Sequence, residues 1–81
     1  MTIDKIKEGV NQFLTTELEI PKNKLNEDAK LKEDLDIGSL DLVDIVAYIL
    51  QHYEFKVNRE DIAKFKTLSD VYKYIQINTP L

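Results

Sequence analysis

Ser39 is the residue of this 81-residue sequence most open to chemistry: Gly38 precedes it, Leu40-Asp41 follows, and a loop gives way there to a long apolar run. A serine becomes a nucleophile only beside a base. The single histidine, His52, lies down the same run, about 20 Å away if that run is helical at 1.5 Å per residue, so a Ser-His pair is excluded. His52 reads instead as an exposed or half-buried residue near a helix C-terminus, where partial positive charge suits the dipole. Glu27, Asp28, Glu33, Glu60 and Asp61 read as a solvated acidic face, without a pocketed acid/base pair. With Asp34 taken as first ligand of a calcium loop, the sixth position is Ser39 rather than glycine and the twelfth is Ile45 rather than glutamate, so that reading fails. The absence of cysteine removes disulfides, thiolate metal sites and a cysteine nucleophile, and any thiol chemistry must be imported. No catalytic residue and no metal ligand set is assigned. Taken alone, Ser39 reads as a helix N-cap.

The elements that must position this serine come from the apolar pattern. Ile3, Ile6, Val10, Phe13 and Leu14 recur on one stripe, which predicts a first helix from about Ile3 to Thr16. Between Glu17 and Gly38 no period holds, and Leu18, Ile20, Leu25, Leu31, Leu35 and Ile37 are spaced as separate anchors of a long loop. A short helical turn near Asp28 to Lys32 is an option within it. With Ser39 as N-cap, a second helix is predicted from Leu40 to about His52. Its stripe Leu42, Ile45, Val46, Ile49 and Tyr53 faces a core. A second stripe, Leu40, Val43, Ala47 and Leu50, either is buried on another side or is left for partners beside Asp41 and Asp44. Glu54 to Val57 alternates like a strand with nothing to pair with, hence an extended connector. Asn58 is expected to cap a short helix to about Lys64, and Thr67 with Asp70 to open a last helix that buries Leu68, Val71, Tyr72 and Ile75. Pro80 closes the pattern. The expected fold is all-α: a four-helix bundle with three longer helices, one short helix and a long first loop.

The chain is 43% hydrophobic and 32% charged, material for one domain over residues 1–81 with a modest core and no room for a deep enclosed site. A net charge of −4 opposes binding to nucleic acid and favours basic protein surfaces. No run is long and apolar enough to span a bilayer, so no membrane insertion is expected and the cytoplasm is the expected compartment.

The segment Leu31-x-Glu33-Asp34-Leu35-x-x-Gly38-Ser39-Leu40-Asp41-x-Val43-Asp44-x-Val46 resembles the signature of acyl carrier proteins, and the resemblance extends over the order of helices and loops along essentially the whole chain. It implies that Ser39 carries 4′-phosphopantetheine, attached from coenzyme A by a phosphopantetheinyl transferase, the holo-carrier synthase. The arm's thiol would hold acyl groups as thioesters for fatty acid, lipid or polyketide synthesis. It further implies that Leu40, Asp41, Val43, Asp44 and Ala47 meet basic patches on synthases, transferases and other acyl-processing enzymes, in micromolar, salt-sensitive encounters of a monomer. A phosphodiester at a helix N-terminus meets free N–H groups and the positive dipole end. Two positions depart from the pattern. Gly38 stands where the family usually has aspartate, and Leu50, Gln51 and His52 replace an acidic cluster at the end of the second helix, which suggests a specialised pathway. The alternatives are an aminoacyl or peptidyl carrier, and a helical adaptor that binds proteins without a prosthetic group.

Overall fold

A computed structural model describes residues 2–79; Met1, Pro80 and Leu81, and with them the expected closing role of Pro80, lie outside that range. Four α-helices follow one another: α1 Ile3–Glu17, α2 Ser39–Tyr53, α3 Arg59–Ile62 and α4 Leu68–Asn78, with one 3-10 turn at Lys22–Lys24. No strand occurs among the described residues, so the fold is the expected all-α bundle.

The helices form where apolar periodicity and caps agree. Thr2 opens α1 by accepting the Lys5 N–H on its hydroxyl. Thr67 opens α4 with a reciprocal pair: its hydroxyl accepts the Asp70 N–H, and the Asp70 carboxylate accepts the N–H groups of Thr67 and Lys66. Burial alone would raise the Asp70 pKa, but these donors outweigh it and hold the carboxyl below its usual range. Ile6, Val10 and Leu14 of α1, Ile45 and Ile49 of α2, and Leu68, Val71 and Ile75 of α4 are buried at the centre, each worth about 1.5–3 kcal/mol on leaving water. At four residues α3 is too short to hold itself. It is kept by half-buried Ile62, by buried Phe65 just beyond it, and by Tyr74 of α4, whose hydroxyl donates to Asp61 at 2.8 Å.

Ile20, Leu31, Leu35 and Ile37 of the long loop are buried as expected, with Leu18 and Leu25 packed against the core. A 3-10 turn falls at Lys22–Lys24, and at the end of the Asp28 to Lys32 stretch the chain makes a single helical turn, Asp34 N–H donating to Lys30 O at 2.9 Å. The latter stretch is also engaged from outside: Leu31 N–H donates to Lys66 O at 2.9 Å, Leu68 N–H to Ala29 O at 3.1 Å and Ser69 N–H to Glu27 O at 3.0 Å. The loop is thereby stitched to the junction between α3 and α4. Asn58 stands at the start of α3, but its carbonyl rather than its side chain accepts the first N–H groups.

Gly9 sits inside α1, where glycine costs about 1 kcal/mol relative to alanine. A Cβ there would lie 2.8 Å from the Tyr48 hydroxyl and 3.3 Å from that of Tyr53. Tyr48 is buried and stacked on Phe13 at 4.6 Å, so its ring has little room to withdraw. Gly9→Ala is therefore expected to lower stability by about 1 kcal/mol, despite alanine's better propensity, with a Tm fall of roughly 4–8 °C by calorimetry.

Candidate functional site

The backbone before Ser39 sets where that serine points. Ile37 is buried and its N–H donates to Leu31 O at 2.8 Å, closing the turn that carries residues 31–35. Asp36 takes a left-handed φ of 54°, which reverses the chain and delivers Gly38 and Ser39 to the surface. The N-cap of α2 is Gly38, not Ser39 as expected: Ser39 is already the first helical residue, and Leu42 N–H donates to Gly38 O at 3.0 Å. Among the described residues no hydrogen bond engages the Ser39 hydroxyl. Threonine hydroxyls cap α1 and α4, whereas the cap of α2 has no side chain to offer. The first N–H groups of α2 are thus left to solvent or to an anion at the positive dipole end. An exposed hydroxyl beside free N–H donors fits a phosphodiester.

Glycine at position 38 is imposed neither by conformation nor by space. Its φ is −94°, and a Cβ would meet nothing within 4 Å. Gly38→Asp is expected to fit without rearrangement and to add a few tenths of a kcal/mol through capping, seen as a small rise in the urea midpoint.

The second stripe on α2 is not buried on another side of the helix. Leu40 is 83% exposed, Val43 64% and Leu50 50%, and Ala47 is exposed as well. These residues form one strip about 15 Å long on the side turned away from Ile45 and Ile49. Asp44 is exposed, and half-buried Asp41 accepts the Gly38 N–H at 3.4 Å. At 3.6 residues per turn both acids fall along the same edge of the strip. Ser39, Leu40, Asp41, Val43, Asp44 and Ala47 therefore share one end and one flank of α2.

His52 is not among them. The helix is unbroken from Ser39 to Tyr53, which keeps His52 about 20 Å from the serine. The imidazole packs on the Tyr48 ring at 4.2 Å between centroids, with Nδ1 3.2 Å from the Tyr48 carbonyl oxygen. Tyr48 itself has its pKa raised by burial and by its bond with the Tyr53 hydroxyl, as a packed phenol does.

On the other side of Ser39 lies a cleft of about 710 Å³, floored by Leu31, Ile37, Leu42, Ile62 and Phe65. Sequence periodicity does not disclose it, because its walls come from the loop, α2 and the α3–α4 junction, brought together by the backbone bonds of Leu31 and Leu68. No described helix is long and apolar enough to cross a membrane.

Residues 8–75 match the family described as phosphopantetheine attachment site. The chain is similar to the acyl carrier protein of Phytoplasma mali, 35% identical over 71 residues, which cover 88% of this chain and 84% of that one. It is similar to that of Brachyspira hyodysenteriae, 37% identical over 75 residues and 91% of each chain, and to that of Thermotoga maritima, 33% identical over 73 residues and 90% of each. Together with the helical bundle and the exposed serine at the mouth of α2, these likenesses place the chain in the acyl carrier protein family, whose members bear a covalent 4′-phosphopantetheine.

Proposed function

We propose that Ser39 is the attachment point of the phosphopantetheine and that the chain, as one carrier domain over residues 1–81, presents acyl thioesters to partner enzymes in the cytoplasm. The observation that carries this reading is the exposed, unengaged Ser39 hydroxyl at the first position of a helix whose cap has no side chain. The Ser39 oxygen forms a bond to phosphorus as the pyrophosphate linkage of coenzyme A breaks. The adenosine bisphosphate half departs, and the hydroxyl proton passes to a base of the transferase. When bound, the arm supplies a thiol that holds the acyl group as a thioester, the function a cysteine-free chain lacks.

The chain's own part is to orient and to be recognised. The free N–H groups of α2 face the phosphodiester, and the strip of Leu40, Val43 and Ala47 with Asp41 and Asp44 meets apolar, basic-rimmed surfaces on the transferase and on acyl-processing enzymes. Exposed charge pairs of this kind steer encounters and contribute little affinity, which suits a monomeric shuttle that must leave each partner. Catalysis belongs to those partners, in fatty acid, lipid or polyketide synthesis. Intact mass after incubation with coenzyme A, magnesium and a phosphopantetheinyl transferase tests the attachment: a phosphopantetheine-sized gain mapped to the Ser39 peptide is the expected result, and a gain elsewhere in the chain or none at all would refute it.

A further inference from the structure

The backbone bonds that stitch the long loop to the α3–α4 junction also gather charge. Lys30, Lys32 and Lys66 line the cleft that Ser39 borders, with Glu33 as the one carboxylate in the lining. In a chain with 15 acidic and 11 basic side chains, this is a local reversal of sign. The side-chain ion pairs among the described residues, Lys7 with Glu27 and Lys64 with Asp61, involve none of the three. Asp34 and Asp70 are close by, but each accepts a backbone N–H, from Lys30 at 2.8 Å and from Lys66 at 3.0 Å, and so fixes the backbone from which an ammonium extends.

A phosphodiester on the Ser39 oxygen places a permanent negative charge at the lip of this cleft. We infer that Lys30, Lys32 and Lys66 form an electrostatic latch for that phosphodiester, holding the prosthetic arm on the α2–α3 side of the molecule, away from the Leu40/Val43 strip. The inference rests on attachment at Ser39. Lysine ammonium groups bind phosphate as mobile point charges, and exposed pairs are readily screened. The latch is accordingly weak enough to open. A basic partner arriving along Asp41 and Asp44 brings competing cations to the same phosphodiester, so docking itself loosens the arm.

The test compares amide spectra of ¹⁵N-labelled protein before and after phosphopantetheine transfer, with complete transfer verified by mass. At low salt, transfer is expected to shift the amides of residues 30–33 and 63–67 as well as 38–41. In about 1 M salt, where screening extends only about 3 Å, and in the Lys30→Gln/Lys32→Gln/Lys66→Gln variant, the first two groups should return at least halfway to their starting positions while 38–41 stay displaced. Shifts confined to 38–41 in the wild type, or shifts at 30–33 and 63–67 indifferent to salt and to the three substitutions, would overturn the latch. Absence of any mass gain would instead remove the attachment on which it depends. The salt titration needs no variant, so the outcome does not depend on how the triple substitution folds.

Discussion

Ser39→Ala is expected to give a chain as stable as the wild type, within about 0.5 kcal/mol, that takes up no phosphopantetheine at all. Both halves of this result follow from where the serine stands. Were Ser39 the N-cap of α2, its hydroxyl would hold an N–H of the first turn, and alanine would cost about 1 kcal/mol. It is instead the first helical residue, exposed and with a hydroxyl that no hydrogen bond engages among the described residues, so alanine removes nothing the fold uses. Loss of the mass gain then reports on the hydroxyl alone and not on a damaged helix. Ser69, the other serine, is half-buried in the first turn of α4 and gives its N–H to Glu27 O at 3.0 Å, a poor substitute acceptor. Intact mass with the transferase, together with a urea melt of each protein, reads both halves. A retained gain in the variant would show attachment elsewhere, and a stability loss above about 1 kcal/mol would show that Ser39 serves the helix after all.

The same position shows what sequence reasoning can reach. The three long helices are legible because each carries an apolar stripe at helical spacing, and α4 because Thr67 and Asp70 form a cap whose two bonds the structure contains. The loop anchors are legible because isolated leucines and isoleucines amid polar residues have nowhere to go but the core. The cap of α2 is not: serine is a favoured N-cap and glycine carries little signal of its own, so propensity selects Ser39. The choice is made upstream of the serine, by the left-handed Asp36 and by the Ile37 N–H bound to Leu31 O, which set the chain's heading one residue earlier.

Tertiary bonds also account for what composition and periodicity leave dark. Tyr48 falls outside both stripes assigned to α2, yet it is buried because Phe13 of α1 stacks on it and Gly9 leaves room for its hydroxyl. Lys66 is remote in sequence from Lys30 and Lys32, and only the antiparallel bridge between Lys30 and Thr67 brings them to one rim. The exposed strip is an intermediate case. The excess of apolar residues on α2 is visible in the sequence, but a helix buried on several sides has the same pattern, and exposure of Leu40, Val43 and Leu50 is what separates the two.

Reversing charge along the edge of that strip should slow docking with basic partners, and the two acids allow recognition to be separated from stability. Asp44 lies beyond the first turn of α2 and is exposed, so Asp44→Lys should leave stability within about 0.5 kcal/mol. Asp41 stands in the first turn and accepts the Gly38 N–H, so Asp41→Lys loses a cap bond and sets a cation against the positive dipole end, a cost of about 0.5–1 kcal/mol. For association with the transferase, however, both charges act through the same field. Steering of this kind changes association rates by about 10- to 1,000-fold, and the double reversal is expected to slow association at least about tenfold at low ionic strength. The deficit should nearly vanish at about 1 M salt, where charges interact over only about 3 Å. Stopped-flow association across a salt series, beside urea melts of each variant, resolves the two effects. If the double reversal still associates as fast as the wild type at low salt, the acidic edge does not steer the partner, and the apolar strip of Leu40, Val43 and Ala47 must supply recognition alone.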